Sequence, residues 1–209
     1  MKVRIAVLTR DCFHSSVVCP NKVSRIPGGP QYCPSQSVEC PSIVSRSVWG
    51  AREPNGTTVM TTPVEYVIVH HTATGNCSST DSCSRILRDI QKYHMDERNG
   101  RFSDIGYSFL VGGDGKVYEG RGWNKQGAHT KNYNDKGIGI AFIGNFQSEL
   151  LKCTKESNAA QELITCGAEM GMVKWDYKLL GHQQTKATEC PGKALFDIIK
   201  TSPRWVLNP

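Results

Sequence analysis

The clearest strand pattern in the chain is a run of mostly β-branched and aromatic residues that begins at Val64 and ends in two histidines, His70 and His71. Such a continuous run predicts a central strand that is buried on both faces. In α/β proteins the chemistry tends to lie at strand ends. Because neighbouring side chains of a strand point to opposite faces, only one of the two histidines can serve a given site.

The same alternation of apolar and polar positions predicts the remaining elements. Strands are predicted within residues 102–111, 116–120 and 137–144, with a Gly-Gly-Asp-Gly hairpin turn at 112–115. Apolar stripes with helical spacing predict helices over residues 84–98, 154–172 and 193–200. Ser79 and Thr80 form a helix-start signal ahead of the first of these helices. Residues 42–52 predict a short extended piece that ends in a turn.

Residues 1–39 differ from the rest of the chain. They contain Cys12, Cys19 and Cys33 together with several prolines and a Gly-Gly pair, and they show little apolar periodicity. We therefore predict a Cys-, Pro- and Gly-rich extension over residues 1–39 and a folded domain over residues 40–209. The first eight residues begin with positive charge, but their apolar run is too short for a convincing signal peptide.

Length and composition favour one globular domain with a real core. The chain has 209 residues, of which 38% are apolar, and no apolar run reaches the roughly 18 residues of a transmembrane helix. The formal net charge is +6, but the Lys and Arg residues are scattered. We therefore expect no nucleic-acid partner and no transmembrane segment. The positive charge mildly favours polyanionic partners such as bacterial cell-wall polymers.

Nine cysteines in a chain of this size indicate an oxidising compartment. Because nine is odd, at least one cysteine is outside any intramolecular bridge, and the sequence alone does not give the pairing. The sequences that follow Asn55 and Asn76 match the acceptor pattern for N-glycosylation, a second indication of secretion. We expect the protein to be extracellular.

The candidate chemistry lies in a polar loop that contains His182 and Cys190 and is bracketed by Gly181 and Pro191. Imidazole and thiolate are both good zinc ligands, and a catalytic zinc ion needs three protein ligands and one open position. Taken alone, the pair is a weak signal, and a surface histidine with a disulfide-bonded cysteine is the favoured interpretation. A third ligand elsewhere in the chain would favour the metal site.

Several other residues allow both a structural and a functional interpretation. Tyr107, at a predicted strand start, is by default structural, although its phenol can reach a site at the sheet edge. Trp123 and His129 lie in a loop whose flat rings and polar groups suit sugar or peptide binding. His94 lies on the apolar stripe of a predicted helix, and we expect it to pack or to lie at the surface.

Five motifs stand in order at residues 67–73, 104–109, 118–124, 127–130 and 180–192. Their sequences include Val-Ile-Val-His-His-Thr-Ala, Asp-Ile-Gly-Tyr-Ser-Phe, Tyr-Glu-Gly-Arg-Gly-Trp-Asn, Gly-Ala-His-Thr and, last, Leu-Gly-His followed by Thr-Glu-Cys-Pro-Gly. Together they resemble the animal peptidoglycan recognition proteins, which are relatives of the phage-type zinc amidases. The resemblance covers residues 40–205. It implies an α/β fold with a central mixed sheet, about three flanking helices and a zinc site in a surface groove.

The resemblance also implies roles for individual residues. His70, His182 and Cys190 would bind Zn²⁺, and Tyr107 and Thr188 would act in catalysis. It pairs Cys77 with Cys83 and Cys40 with Cys166, and it gives no partner for Cys12, Cys19, Cys33 or Cys153. Zinc with three protein ligands keeps one position for water and lowers the pKa of that water towards neutrality. His71 is expected to support the site from the other face of the strand.

Candidate substrate contacts are His71, Trp123, Asn124, Lys125 and His129. In the family, the two residues after the Gly-Arg-Gly-Trp turn help to choose between lysine-type and diaminopimelate-type stems. In this chain they are Asn124 and Lys125, and Lys125 departs from the aromatic residue of several typed members. We therefore make no prediction of which stem type is preferred.

Three hypotheses follow from these residues. The first is a zinc N-acetylmuramoyl-L-alanine amidase of innate immunity that cuts the lactyl–L-alanine amide of peptidoglycan. The second is a receptor that binds the same muropeptides without cutting them. The third is a cysteine hydrolase with Cys190 as nucleophile and His182 as base. The intact ligand set favours the first hypothesis, and we expect the protein to be a monomer.

Overall fold

The computed structural model describes residues 40–97, 101–148 and 155–209, and its centre is a mixed six-stranded sheet with the order β1-β4-β3-β5-β2-β6. The strands are β1 (Ile43–Val44), β2 (Val64–His71), β3 (Phe109–Val111), β4 (Val117–Glu119), β5 (Gly137–Phe142) and β6 (Val173–Gly181). The described helices are α1 (Arg46–Trp49), α2 (Thr80–Lys92), α3 (Lys155–Glu169) and α4 (Lys193–Ile199). The predicted fold class is confirmed, with four described helices where about three were expected.

Two predictions fall outside this description. The extension over residues 1–39, with Cys12, Cys19 and Cys33, is not among the described residues, and neither is Cys153. None of the described helices is long and apolar enough to cross a membrane.

Strand β2 lies inside the sheet, as its apolar run predicted. All of its residues except Glu65 are buried. It pairs in parallel with β5 on one side and with β6 on the other. Val69 stands opposite Ile140 in β5 and Gly181 in β6. The carboxyl ends of β2 and β6 therefore lie side by side.

One face of the sheet is covered by α3 and α4. Val67 and Val69 of β2 pack there in one apolar cluster with Leu163 of α3 and Leu195 of α4. All four side chains are almost completely inaccessible to solvent. Burial of this apolar area is the main favourable contribution to folding in this half of the molecule.

The opposite face is covered only in part. Under α1 and α2, Trp49 and Leu87 pack on Leu110 of β3. Beside them, Ile68 of β2 belongs to a small cluster that also contains Tyr66, Leu180 and the loop residues Tyr133 and Val206. Loop residues rather than a helix complete this cluster, and the sheet surface next to it is open as a groove.

Two disulfide bonds tie the domain together, and both predicted pairs are confirmed. Cys77 is bonded to Cys83 at the start of α2, where Ser79 caps the helix. Cys40 is bonded to Cys166 in α3, across 126 positions of sequence. In the chain-entropy model a loop of this size is worth roughly 2–5 kcal/mol. The bond attaches the first described residue of the domain to the helix on the covered face.

Three local predictions are corrected by the structure. Residues 46–49, expected to be extended, form α1 because Trp49 turns inward, where it is fully buried and its Nε1–H donates to the carbonyl of Glu119. The helix that starts at Thr80 ends at Lys92 and continues as a π-helical turn, Tyr93–Glu97. Residues 173–176, which were not assigned to a strand, begin β6.

Candidate metal centre

Two parallel strands end side by side and bring two histidines together. His70 follows Val69 in β2, and His182 follows Gly181 of β6 in a single 3₁₀ turn, with ring centroids 4.3 Å apart. Cys190 comes from the loop before α4, and its Sγ lies 3.7 Å from Nδ1 of His70. One ligand atom from each of the three residues lies within 4.8 Å of the other two. The structure thus brings together the three predicted metal ligands.

The donor atoms fit a tetrahedral zinc ion. Bond lengths of about 2.3 Å to sulfur and about 2.0–2.1 Å to nitrogen place two such donors roughly 3.6 Å apart, and Nδ1 of His70 is 3.7 Å from Sγ of Cys190. Nδ1 of His182 is buried and has no hydrogen-bond partner among the described residues, so it can present a lone pair to a metal. Two imidazoles and one thiolate form a donor set that zinc accepts.

Burial controls the protonation of the three ligands. It lowers the pKa of His70 well below its usual range, and it lowers that of His182 to about 4, with a further contribution from Lys186. Both imidazoles are therefore neutral at neutral pH, as metal ligands must be. Burial raises the pKa of the Cys190 thiol to about 11. A free cysteine nucleophile needs the opposite shift, so the cysteine-hydrolase hypothesis gains no support.

His71 faces the other side of β2. Its Nδ1 accepts a hydrogen bond from the backbone N–H of Phe146, 3.4 Å away, on the covered face. Its own backbone N–H donates to Sγ of Cys190 at 3.4 Å. The predicted alternation is therefore present, and the support that His71 gives the cluster comes from its backbone. His71 is 8% exposed and belongs to the lining of the groove, so its predicted substrate contact stays a prediction.

Tyr107 and Thr188 both reach the groove beside the cluster. Tyr107 lies just before β3, with its ring centroid 5.3 Å from that of His70. Desolvation, with a smaller contribution from Cys190, raises the pKa of Tyr107, so the phenol keeps its proton at neutral pH. Thr188 is exposed, and its Oγ1 accepts a hydrogen bond from the backbone N–H of Cys190 at 3.3 Å. Both hydroxyl groups can therefore face a substrate.

The cluster lies in a groove of about 760 Å³. Its lining includes residues that the sequence did not mark as functional: His94, Phe102, Thr130, Asn134 and Asn145. His94 was expected to pack or to lie at the surface. It stands on the π-helical turn, where its Nδ1 accepts from the backbone N–H of Gly106 at 3.1 Å. Helical periodicity could not find it, because a π-helical turn changes the direction of the side chains that follow.

Trp123, Asn124 and Lys125 line a different cavity, of about 430 Å³. The reason is topological: β4 runs antiparallel to β3, whereas β3 and β5 run parallel. The residues after β4 therefore lie at the end of the sheet opposite the carboxyl ends of β2 and β5. Trp123, predicted to be exposed, is half-buried, with its ring centroid 4.5 Å from that of Phe109. The predicted contact of these three residues with a substrate therefore stays a prediction.

His129 is the groove residue most closely connected to the ligands. Its Nδ1 lies 3.1 Å from Nε2 of His70 and 2.9 Å from Oγ1 of Thr130. Desolvation lowers the pKa of His129 to about 3, so its imidazole is neutral. We predicted a substrate contact for His129, and the structure adds a hydrogen bond to a metal ligand that the sequence did not show. A Gly-Ala-His-Thr loop carries no signal of such a contact.

Comparison with known proteins shows the same fold and a family. Residues 60–193 match the N-acetylmuramoyl-L-alanine amidase family, Amidase_2. The chain is 43% identical over 170 residues to peptidoglycan-recognition protein 2 of Holotrichia diomphalia. This match covers 81% of this chain and 89% of that relative. It is 41% identical over 169 residues to a Mus musculus protein named N-acetylmuramoyl-L-alanine amidase, across 79% of this chain and 32% of the relative.

A solved structure shows the same architecture. Drosophila PGRP-LB, as a point variant in complex with tracheal cytotoxin, is 45% identical to this chain with a TM-score of 0.75. The match covers 78% of this chain and 96% of that one. Tracheal cytotoxin is a monomeric diaminopimelic acid-type peptidoglycan. The sheet and helices described above are therefore shared with a protein whose structure holds a peptidoglycan fragment.

Proposed function

The chain belongs to the N-acetylmuramoyl-L-alanine amidase family and, within it, to the peptidoglycan-recognition proteins, and we propose that it is a zinc-dependent amidase of innate immunity. In this proposal it binds bacterial peptidoglycan in the groove and hydrolyses the amide between the lactyl group and L-alanine. It acts outside the cell, in agreement with its disulfide bonds.

The observation that carries the proposal is the complete ligand set. His70, His182 and Cys190 converge within 4.8 Å in a groove of about 760 Å³. According to the family resemblance, members that bind without cutting typically lack the cysteine, and this chain keeps Cys190. A bound zinc ion would supply a Lewis acid that activates water for attack on the amide carbonyl.

Three residues beside the metal site would have separate roles in catalysis. The proton that Tyr107 retains can be donated to the amide oxygen as negative charge develops there, a contribution of roughly 3–4 kcal/mol for one well-placed donor. Thr188 accepts from the backbone of Cys190, which leaves its own proton for the same oxygen or for the substrate. The backbone N–H of His71 donates to Sγ of Cys190 and favours its thiolate form.

The second candidate is a receptor that binds muropeptides without cutting them. The observation in its favour is that curated relatives such as the Holotrichia diomphalia protein are named for recognition, while the mouse relative is named for amidase activity. The groove serves either function, and one protein can do both. The state of the metal centre is what separates them.

Hydrolysis with and without zinc tests the proposal. Purified protein is incubated with lysine-type and with diaminopimelate-type peptidoglycan, before and after treatment with a chelator, and the released stem peptides are identified by mass. We expect release that stops on chelation and returns with Zn²⁺. Binding without release in the zinc-loaded protein would favour the receptor, and release that survives chelation would favour the cysteine hydrolase.

A further inference from the structure

We propose that His129 and Thr130 are positioning residues that hold the imidazole of His70 in the orientation in which its Nδ1 faces the metal. This inference rests on the proposed zinc site. It assigns His129 a role through another residue rather than, or in addition to, contact with substrate. Three features of the structure support it.

The first feature is the set of contacts at the rear of the His70 ring. Nδ1 of His70 faces Cys190, and Nε2 at the far side of the ring faces His129 and Thr130. Nε2 lies 3.1 Å from Nδ1 of His129 and 3.3 Å from Oγ1 of Thr130. His129 and Thr130 are themselves joined at 2.9 Å. The three polar atoms therefore form a triangle behind the metal ligand, each within hydrogen-bond distance of the other two.

The second feature is the tautomer that this triangle selects. A neutral imidazole that offers the lone pair of Nδ1 to a metal carries its proton on Nε2. That proton needs an acceptor, because His70 is only 1% exposed. Nδ1 of His129 and Oγ1 of Thr130 are both able to accept it. Acceptors behind a metal-bound histidine fix the ring and raise its basicity.

The third feature is the space that the sheet leaves for the His129 ring. A side chain on Gly139 of β5 would place its Cβ 2.5 Å from Cγ of His129, and one on Gly127 would place its Cβ 2.4 Å from Cδ2. Such contacts are too short for any residue but glycine. The ring thus lies flat against a strand surface that has no side chain at this point.

The loop that carries the pair is held from the other side. The Oδ1 atom of Asn134 accepts hydrogen bonds from the backbone N–H groups of His129, at 3.0 Å, and Thr130, at 2.8 Å. Thr130 is 2% exposed. A residue that only contacted substrate would need neither the glycine surface nor this buried threonine. The glycine surface, the Asn134 hydrogen bonds and the buried Thr130 together fix the distance between the loop and His70.

Substitutions that keep or remove the acceptor atoms test the inference. His129→Leu removes Nδ1, whereas His129→Asn retains an oxygen near its position. Thr130→Val removes the hydroxyl at nearly constant volume, and Thr130→Ser keeps it. Zinc affinity of the purified full chain is measured by competition with a chromophoric chelator. Loss of an acceptor behind a ligand typically weakens metal binding by about 10–100-fold.

We expect a loss in that range for His129→Leu, a smaller loss for Thr130→Val, and recovery of most of the affinity in His129→Asn and Thr130→Ser. The matched control is Thr165→Val, the same exchange as Thr130→Val at a threonine of α3 whose hydroxyl bonds within its own helix and which does not line the groove; this variant should keep its zinc affinity. Should His129→Leu fail to fold, the Thr130→Val and Thr130→Ser pair decides the matter.

Two outcomes overturn the inference on different grounds. If the wild-type chain binds zinc and His129→Leu binds it equally well, the positioning role is wrong, and a loss of muropeptide affinity in that variant would show that His129 contacts substrate alone. If the wild-type chain binds no zinc, the proposed function itself fails, and the inference fails with it. The wild-type measurement therefore separates the two failures.

Discussion

The two faces of strand β2 differ in what they bury. On the face covered by α3 and α4, Val67 and Val69 pack in a large apolar cluster. On the groove face, Ile68 is followed by His70, a buried imidazole whose neighbours are His129, His182 and Cys190. One continuous strand thus contributes to an apolar core on one side and to a polar cluster on the other.

This difference separates stability from function. Apolar burial is non-directional and stabilises the fold whichever neighbours supply it. Buried polar groups cost free energy unless they are paired, so the groove face depends on the hydrogen bonds behind His70, and the proposed zinc ion would pair with the ligand atoms on its other side. Substitutions on the groove face should therefore affect metal and catalysis, and those on the covered face should affect unfolding.

The largest effect is expected for Cys190→Ser. Hydrolysis should be abolished, because the metal centre loses its thiolate, while much of the muropeptide affinity remains, since the groove is built from many other residues. Released stem peptides and binding to insoluble peptidoglycan are measured on the same preparation. Hydrolysis at the wild-type rate would show that the zinc assignment is wrong.

Tyr107→Phe tests whether a groove residue can act in catalysis without binding the metal. Removal of the hydroxyl takes away one donor to the developing oxyanion and should lower kcat by about 10²–10³-fold. Zinc content should not change, because Tyr107 is not a ligand. Steady-state hydrolysis and metal analysis of the same variant check both points. A variant that lost its zinc would contradict the assigned role of the phenol.

Leu163→Ala tests the covered face. Leu163 is fully buried in α3 against the sheet, and truncation of such a residue costs about 2–5 kcal/mol of the free energy of unfolding. Denaturant unfolding should show this loss, while zinc content and hydrolysis per folded molecule stay at wild-type values. Impaired zinc binding in the folded variant would mean that the two faces are not separable.

The smallest effect is expected for Ser79→Ala. Ser79 Oγ accepts from the backbone N–H of Ser82 in the cap of α2, and loss of such a cap costs about 1 kcal/mol. The variant should unfold at slightly lower denaturant concentration and hydrolyse peptidoglycan normally. An unchanged midpoint would show that the nearby bond between Cys77 and Cys83 holds the helix start by itself.

The two faces also differ in how far the sequence predicted them. The β-branched run of β2 predicted its burial, and the period of the strand predicted that His70 and His71 separate, because both depend on local residues alone. The ligand set and the disulfide pairs came from ordered motifs that resemble a family, since no local pattern specifies which distant side chains meet.

The missed features depend on tertiary geometry. His94 reaches the groove because it lies on a π-helical turn. Trp123 lies at the opposite end of the sheet because the strand before it is antiparallel to its neighbour. The contact between His129 and His70 depends on Gly139, a glycine in a neighbouring strand. Such relations between distant elements leave no periodic pattern in the sequence.

The zinc content of His70→Ala and His71→Ala tests the central claim, that the metal lies on the groove face of β2. The two substitutions are identical in chemistry, adjacent in sequence and opposite in direction. We predict about one zinc ion per chain in the wild type and in His71→Ala, with hydrolysis in the latter only partly reduced, and neither zinc nor hydrolysis in His70→Ala. Zinc retained in His70→Ala and lost in His71→Ala would contradict the assignment.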